Sequence, residues 1–176
     1  MPDCYLIVVD MQNDFVTGSL GTDEAKQIVQ PMVKKIEGYG GNVFFTIDSH
    51  KEDYLSTQEG KKLPVKHCIS GTWGWQPVDE IQAMQQKRNG AIYMKPTFGC
   101  TKLVNDMIAA NEQQSIKEIE LVGVCTDICV VSNAIMLKNA LPEVSVFVDS
   151  TCCAGSTPQK HQEALNVMES CQIGIR

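Results

Sequence analysis

The chain has 176 residues, of which 43% are hydrophobic and 20% charged. That composition excludes a disordered or collagen-like chain, and the length fits one domain spanning 1–176. Fifteen Lys+Arg against twenty-one Asp+Glu leave a net charge of −6, which argues against nucleic acid or an anionic membrane as partner.

No run approaches the ~20 apolar residues of a membrane span. Residues 1–10 carry no basic segment and run at once into strand-like sequence, so no signal peptide is expected. Eight cysteines are scattered through apolar segments rather than clustered in loops. The expectation is a cytoplasmic protein in which most of them are small buried hydrophobes.

In chain order, 5–9 (YLIVV) reads as a buried strand. Ile28, Val29, Met32, Val33 and Ile36 then share one helical face, with Pro31 marking a start or a kink and Gly38, Gly40 and Gly41 the end. Residues 42–47 (NVFFTI) are the second strand, and 49–76 form a long irregular stretch rich in charge, Gly and Pro. A short helix is predicted over 77–86, a strand over 91–94, and a helix marked by Leu103, Val104, Met107 and Ile108. The fourth strand is 119–124, followed by a helix over 127–139 that is apolar almost all round. Residues 144–148 are the fifth strand. Thr157 and Pro158 read as an N-cap and first helical residue before a face of Ala164, Leu165, Met168 and Cys171, and a short last strand includes Ile173 and Ile175. Alternation of this kind predicts an α/β fold: a doubly wound, mostly parallel sheet in a three-layer α/β/α sandwich.

Such folds bind ligands outside the carboxyl ends of their strands. Asp10 ends the first strand, Asp48 the second with His50 two residues on, and Lys95 the third. The fourth runs through Gly123, Val124 and Cys125 to Cys129 at the start of a helix. A thiol at a helix N-terminus beside a cation is expected to have a lowered pKa, with backbone N–H groups offered to a developing oxyanion. His50 and His67 with Asp48 suit a Zn, Fe or Mn site, and Glu59 between them is a candidate fourth ligand. Each residue alone has a plainer reading. Cys129 fits a buried structural thiol, Asp10 a cap or salt bridge, Lys95 a solvated surface lysine, and the two histidines hydrogen-bonding loop residues. His161, the third histidine, reads as structural.

Together the motifs are more specific. The stretches 9–15 (VDMQNDF), 46–50 (TIDSH), His67-Cys68, 95–98 (KPTF), 123–130 (GVCTDICV) and 149–154 (DSTCCA) resemble the isochorismatase-like cysteine hydrolases, and among them the nicotinamidase branch. The resemblance implies a catalytic Asp10, Lys95 and Cys129, and a cis peptide at Val124-Cys125 that aims the N–H groups of Cys125 and Cys129 at one oxyanion. It also implies a divalent metal on Asp48, His50 and His67, with Glu59 a fourth ligand and zinc first among Zn, Fe and Mn. Ser49 and Lys51 stand where relatives often carry Trp or Ala and then Pro. Phe15 and Trp73 are the expected substrate contacts, and Trp75 is a second candidate for an aromatic wall. The implied activity is hydrolysis of a small-molecule amide, nicotinamide above others, by a homo-oligomer. The alternatives are a related hydrolase of another small amide or carbamoyl compound, and a non-catalytic metal-binding protein.

Overall fold

A computed structural model describes residues 3–176. Met1 and Pro2, and with them the start of the reading made for 1–10, lie outside the described residues. The strands are β1 (Cys4–Val9), β2 (Asn42–Asp48), β3 (Ile92–Lys95), β4 (Glu118–Val124), β5 (Ser145–Ala154) and β6 (Gly174–Ile175). The helices are α1 (Asn13–Val16), α2 (Asp23–Gly38), α3 (Gln58–Lys62), α4 (Asp79–Arg88), α5 (Thr101–Gln113), α6 (Val131–Ala140) and α7 (Pro158–Ser170). All six strands are parallel, in the order β3-β2-β1-β4-β5-β6.

The apolar run of β1 has no polar alternation because both of its faces are covered. Leu6 and Val8 pack with Ile28, Val29, Met32 and Ile36 of α2 and Ile81 of α4. Ile7 and Val9 pack with Leu103 and Met107 of α5, Leu137 of α6 and Met168 of α7. The first half of the chain thus places its helices on one face and the second half on the other. The winding reverses between β1 and β4, which is where such a sheet opens a crevice.

Register makes the strand ends level. Val9 pairs with both Thr46 and Gly123, and Asp48 pairs with Lys95. Gly123 has φ +124°, and a Cβ there would stand 2.1 Å from the carbonyl oxygen of Val9, so only glycine lets β4 lie this close to the end of β1.

Several elements differ from the sequence expectation. Helix α2 starts at Asp23, where the Thr22 side chain accepts from the N–H of Ala25, and runs through Pro31. Pro31 lies on the exposed side, where the carbonyl it leaves without a donor can be hydrated. Strand β5 continues past Val148 to Ala154, with a register shift opposite Leu121 and Gly123. The helix expected from Asp127 opens as a π-helical turn, Thr126–Val130, before α6 begins.

A buried ion network ties α2 to the sheet. Lys35 Nζ reaches Glu120 Oε1 at 3.0 Å and Asp149 Oδ2 at 2.6 Å, and Glu120 is buried. Burial alone would raise the Asp149 pKa, but Lys35 and Thr151 outweigh it and hold the carboxyl below its ordinary value. Its contribution to stability is therefore complete above the unfolded pKa and is lost as pH falls through the depressed folded one. Lys35→Met leaves two carboxylates without this partner and is expected to cost about 2–3 kcal/mol. The check is the urea midpoint at neutral pH, where the variant should unfold at clearly lower denaturant with an unchanged slope.

Candidate active site

Asp10 leaves β1 with φ 50°, a left-handed turn that Asp tolerates better than most residues. It is fully buried. Its Oδ1 accepts from Thr46 Oγ1 at 2.6 Å, and its Oδ2 pairs with Lys95 Nζ at 2.6 Å. Lys95 is itself buried; its Nζ also donates to Cys129 Sγ at 3.5 Å and stands 3.7 Å from Asp48 Oδ1. The Cys129 thiol therefore shares the Lys95 ammonium with the Asp10 carboxylate. An acid, an ammonium and a thiol from three strand ends thus meet at the switch point; Lys95 is not the solvated surface group of its plainer reading, whereas Asp10 does form a salt bridge and Cys129 is buried.

Burial pushes the Asp10 carboxyl up, although Lys95 pulls the other way. Burial would lower the Lys95 pKa, but Asp10 and Cys129 outweigh it and keep the ammonium protonated. The expected lowering of the Cys129 pKa is not found. Burial and the adjacent Asp10 raise it, and Lys95 offsets only part of this. A thiol that keeps its proton at rest, with a carboxylate on the same ammonium, is suited to losing that proton during attack rather than before it.

Asp48 faces two ways. With Oδ1 toward Lys95, its Oδ2 lies 3.0 Å from His50 Nε2 and 3.7 Å from His67 Nε2. Glu59 Oε1 stands 3.7 Å from each of the same two nitrogens. The donor atoms of Asp48, His50 and His67 all lie within 4.8 Å of one another. His67 Nδ1 is 2.8 Å from the Val65 carbonyl, which assigns that nitrogen the proton and leaves Nε2 with its lone pair toward the cluster. His50 Nε2 is buried and makes no well-formed hydrogen bond, despite the carboxylate oxygen 3.0 Å away. Asp10, Asp48 and Glu59 set three carboxylates against the single ammonium of Lys95. Imidazole and carboxylate donors converging on one point, with two negative charges in excess, fit a divalent cation.

The loop holding these donors is pinned by residues that sequence reasoning did not single out. Gln12 is fully buried; its Oε1 accepts from the N–H of Asp48 at 2.7 Å, and its Nε2 donates to the Asp48 and Trp75 carbonyls at 2.9 and 2.8 Å. Asp14 Oδ2 accepts from the N–H of Cys68 at 2.8 Å, beside His67. Asn133 is fully buried in α6; it donates to the Cys129 carbonyl at 2.8 Å and the Phe98 carbonyl at 3.2 Å, and accepts from Cys100 N–H at 2.9 Å. It thereby joins the turn carrying Cys129 to the loop that follows Lys95. The one signal for Asn133 in the sequence is an amide in an otherwise apolar helix.

A cavity of about 660 Å³ opens onto the cluster, and Cys129, Asp48, Glu59, His67, Phe15 and Cys125 all line it. The peptide bond between Val124 and Cys125 is cis. Burial pushes the Cys125 thiol up to about 12, so this second sulfur on the wall stays protonated at neutral pH. Trp73 does not reach the cavity. Asn13 Nδ2 holds its carbonyl at 2.9 Å, and its side chain is 60% exposed. Trp75 is also off the wall and donates through Nε1 to Ser49 Oγ at 2.7 Å. His161 braces the turn that carries Cys129, with Nδ1 2.8 Å from Thr126 Oγ1.

With this geometry in view, the chain matches the isochorismatase domain over residues 4–175. It belongs to the isochorismatase family. Among relatives, the isochorismatase-family chain is 27% identical to a nicotinamidase of Saccharomyces cerevisiae over 211 aligned positions, covering 97% of each chain. The solved nicotinamidase/pyrazinamidase PncA of Bacillus subtilis superposes with a TM-score of 0.80 at 26% identity, covering 99% of each chain. A pyrazinamidase of Pyrococcus horikoshii, solved in complex with zinc, superposes with a TM-score of 0.79 at 25% identity over 99% of each chain. These neighbours place the chain in the nicotinamidase branch of the family.

Proposed function

We propose that the protein is a nicotinamidase that hydrolyses nicotinamide to nicotinic acid and ammonia through a thioester on Cys129. The observation that carries this reading is Lys95 Nζ, which touches Asp10 at 2.6 Å and Cys129 at 3.5 Å on the wall of a cavity shared with Asp48, His67 and Glu59. The nicotinamidases and pyrazinamidases among its relatives support the choice of substrate.

As the Cys129 sulfur attacks the carboxamide carbon, Asp10 accepts the thiol proton and the carbonyl π pair moves onto oxygen. Lys95 stabilises the negative charge that grows on sulfur and holds sulfur and carboxylate in register. The N–H groups of Cys125 and Cys129 receive the oxyanion, each worth about 3 kcal/mol in such a role. The C–N bond then breaks, Asp10 passes its proton to nitrogen, and ammonia leaves. Water next gives a proton to Asp10 and its oxygen attacks the thioester carbon. The C–S bond breaks, sulfur recovers the proton, and the acid is released. Asp48, His50, His67 and Glu59 would hold a divalent cation, zinc by this reading, which supplies a Lewis acid for the ring nitrogen and so positions the ring. Phe15, tilted against His67 with centroids 5.5 Å apart, would pack on that ring.

The test is release of ammonia and nicotinic acid from nicotinamide, with and without a chelator. No release under either condition refutes the assignment, whereas full activity after complete removal of metal leaves the hydrolysis standing and refutes the metal's part in it. His50→Ala is expected to weaken zinc binding at least about 100-fold and to raise KM for nicotinamide. Metal analysis after dialysis checks the first effect, and retention of stoichiometric zinc refutes the ligand role. The same reading carries a homo-oligomer, from the family resemblance, and a cytoplasmic location, from eight cysteines scattered through apolar segments. No helix among the described residues is long and apolar enough to cross a membrane.

A further inference from the structure

A single-ring carboxamide leaves much of the 660 Å³ cavity unfilled, since volumes of about 300–1,000 Å³ enclose ligands of drug size. The charges on the cavity wall divide into two groups. Asp48, Glu59 and His67 belong to the donor cluster, and the remaining two charged residues, Lys62 and Lys160, are both cationic. This reverses the balance of a chain whose net charge is −6. The two lysines come from different elements, the end of α3 and the first turn of α7, and both are exposed at the rim. Neither ammonium is in an ion pair among the described residues. A lysine in a first turn opposes the helix dipole, so Lys160 is not placed there for the stability of α7.

Apolar side chains occupy the same rim. Leu63 is 38% and Phe98 47% exposed, and both line the cavity. The wall from Cys129 outward is thus apolar and ends in two unpaired cations.

We propose that the outer cavity is a subsite for an anionic extension of the substrate: a pyridine carboxamide carrying a short apolar chain that ends in a carboxylate or similar anion. The chain lies along Leu63 and Phe98, and the anion is received by Lys62 and Lys160. This rests on the amidase reading of the inner site and names a substrate class that fills the whole cavity.

The experiment compares two substrates, nicotinamide bearing a carboxyethyl chain at the ring carbon meta to the carboxamide, and its uncharged methyl ester. At low ionic strength the acid should exceed the ester in kcat/KM by about five- to tenfold, because two exposed ion pairs contribute modestly and are open to screening. The ratio should fall to about one in the Lys62→Ala/Lys160→Ala double variant, and likewise for the wild type at about 0.5 M salt. A wild-type ratio of one or less overturns the proposal, as does a preference that survives in the double variant or failure of both chain-bearing amides to react. Nicotinamide itself separates the two levels of the reading. If it is hydrolysed while the acid shows no preference, only the outer subsite falls; if it is not hydrolysed, the inner assignment falls and takes the subsite with it.

Discussion

Cys129→Ala is expected to reduce kcat for nicotinamide by at least about 10⁴-fold while leaving fold and metal content intact. The sulfur stands on the cavity wall 3.5 Å from the buried ammonium of Lys95, a contact made by no other thiol among the described residues. Cys125, the other thiol on the wall, is held protonated by its burial, with a pKa pushed up to about 12. The fold should tolerate the change, because the Asp10–Lys95 pair at 2.6 Å does not depend on the thiol. Mass spectrometry of the wild type quenched during turnover should find the acyl adduct on the peptide containing Cys129. Activity within tenfold of wild type in the variant would eliminate the thioester route.

Asp10→Asn should lower kcat by about 10³- to 10⁴-fold, since it removes the group that takes and returns the proton. The amide can keep the Thr46 hydrogen bond but cannot neutralise Lys95, whose next carboxylate, Asp48, is 3.7 Å away. A loss of stability of about 3 kcal/mol should therefore accompany the kinetic loss. The pH profile gives a separate readout. Burial raises the Asp10 pKa, so the wild-type acid limb should lie above the ordinary carboxylate range, with activity lost as pH falls through it. That limb should vanish in the variant. Because acid and thiol act as one unit, the double variant with Cys129→Ala should be no slower than Cys129→Ala alone. Additive losses in the double variant would mean that the two residues act in separate steps.

The layered architecture was legible because burial on both faces leaves unbroken apolar runs in 5–9 and 119–124, while the helices show one apolar side. Strand β5 was read short because Asp149, Ser150 and Thr151 interrupt its apolar pattern, although the backbone stays extended. The stretch 49–76 has no period at all. Its short helix α3 is set by Thr57, whose hydroxyl accepts from Gly60 N–H, and such a local bond leaves no trace in hydropathy. The meeting of Asp10, Lys95 and Cys129 and of the donor cluster was legible because a parallel sheet brings its strand ends to one edge. Gln12 and Asn133 were not, since the partners that give them their bridging role are main-chain atoms more than thirty residues away. Trp73 was misplaced for the same reason: the hydrogen bond from Asn13 to its carbonyl, not the character of the indole, decides where that loop points.

Asp48 gives one oxygen to the ammonium shared by Asp10 and Cys129 and the other to the histidines, so a single side chain forms the party wall between two centres. Neither centre can drift without the other feeling it. Rotation of this carboxylate to suit a larger cation would pull at Lys95, and a change of the trio would disturb the donor set in turn. Attempts to re-engineer the specificity of this scaffold should therefore start at the rim of the chamber and leave position 48 alone.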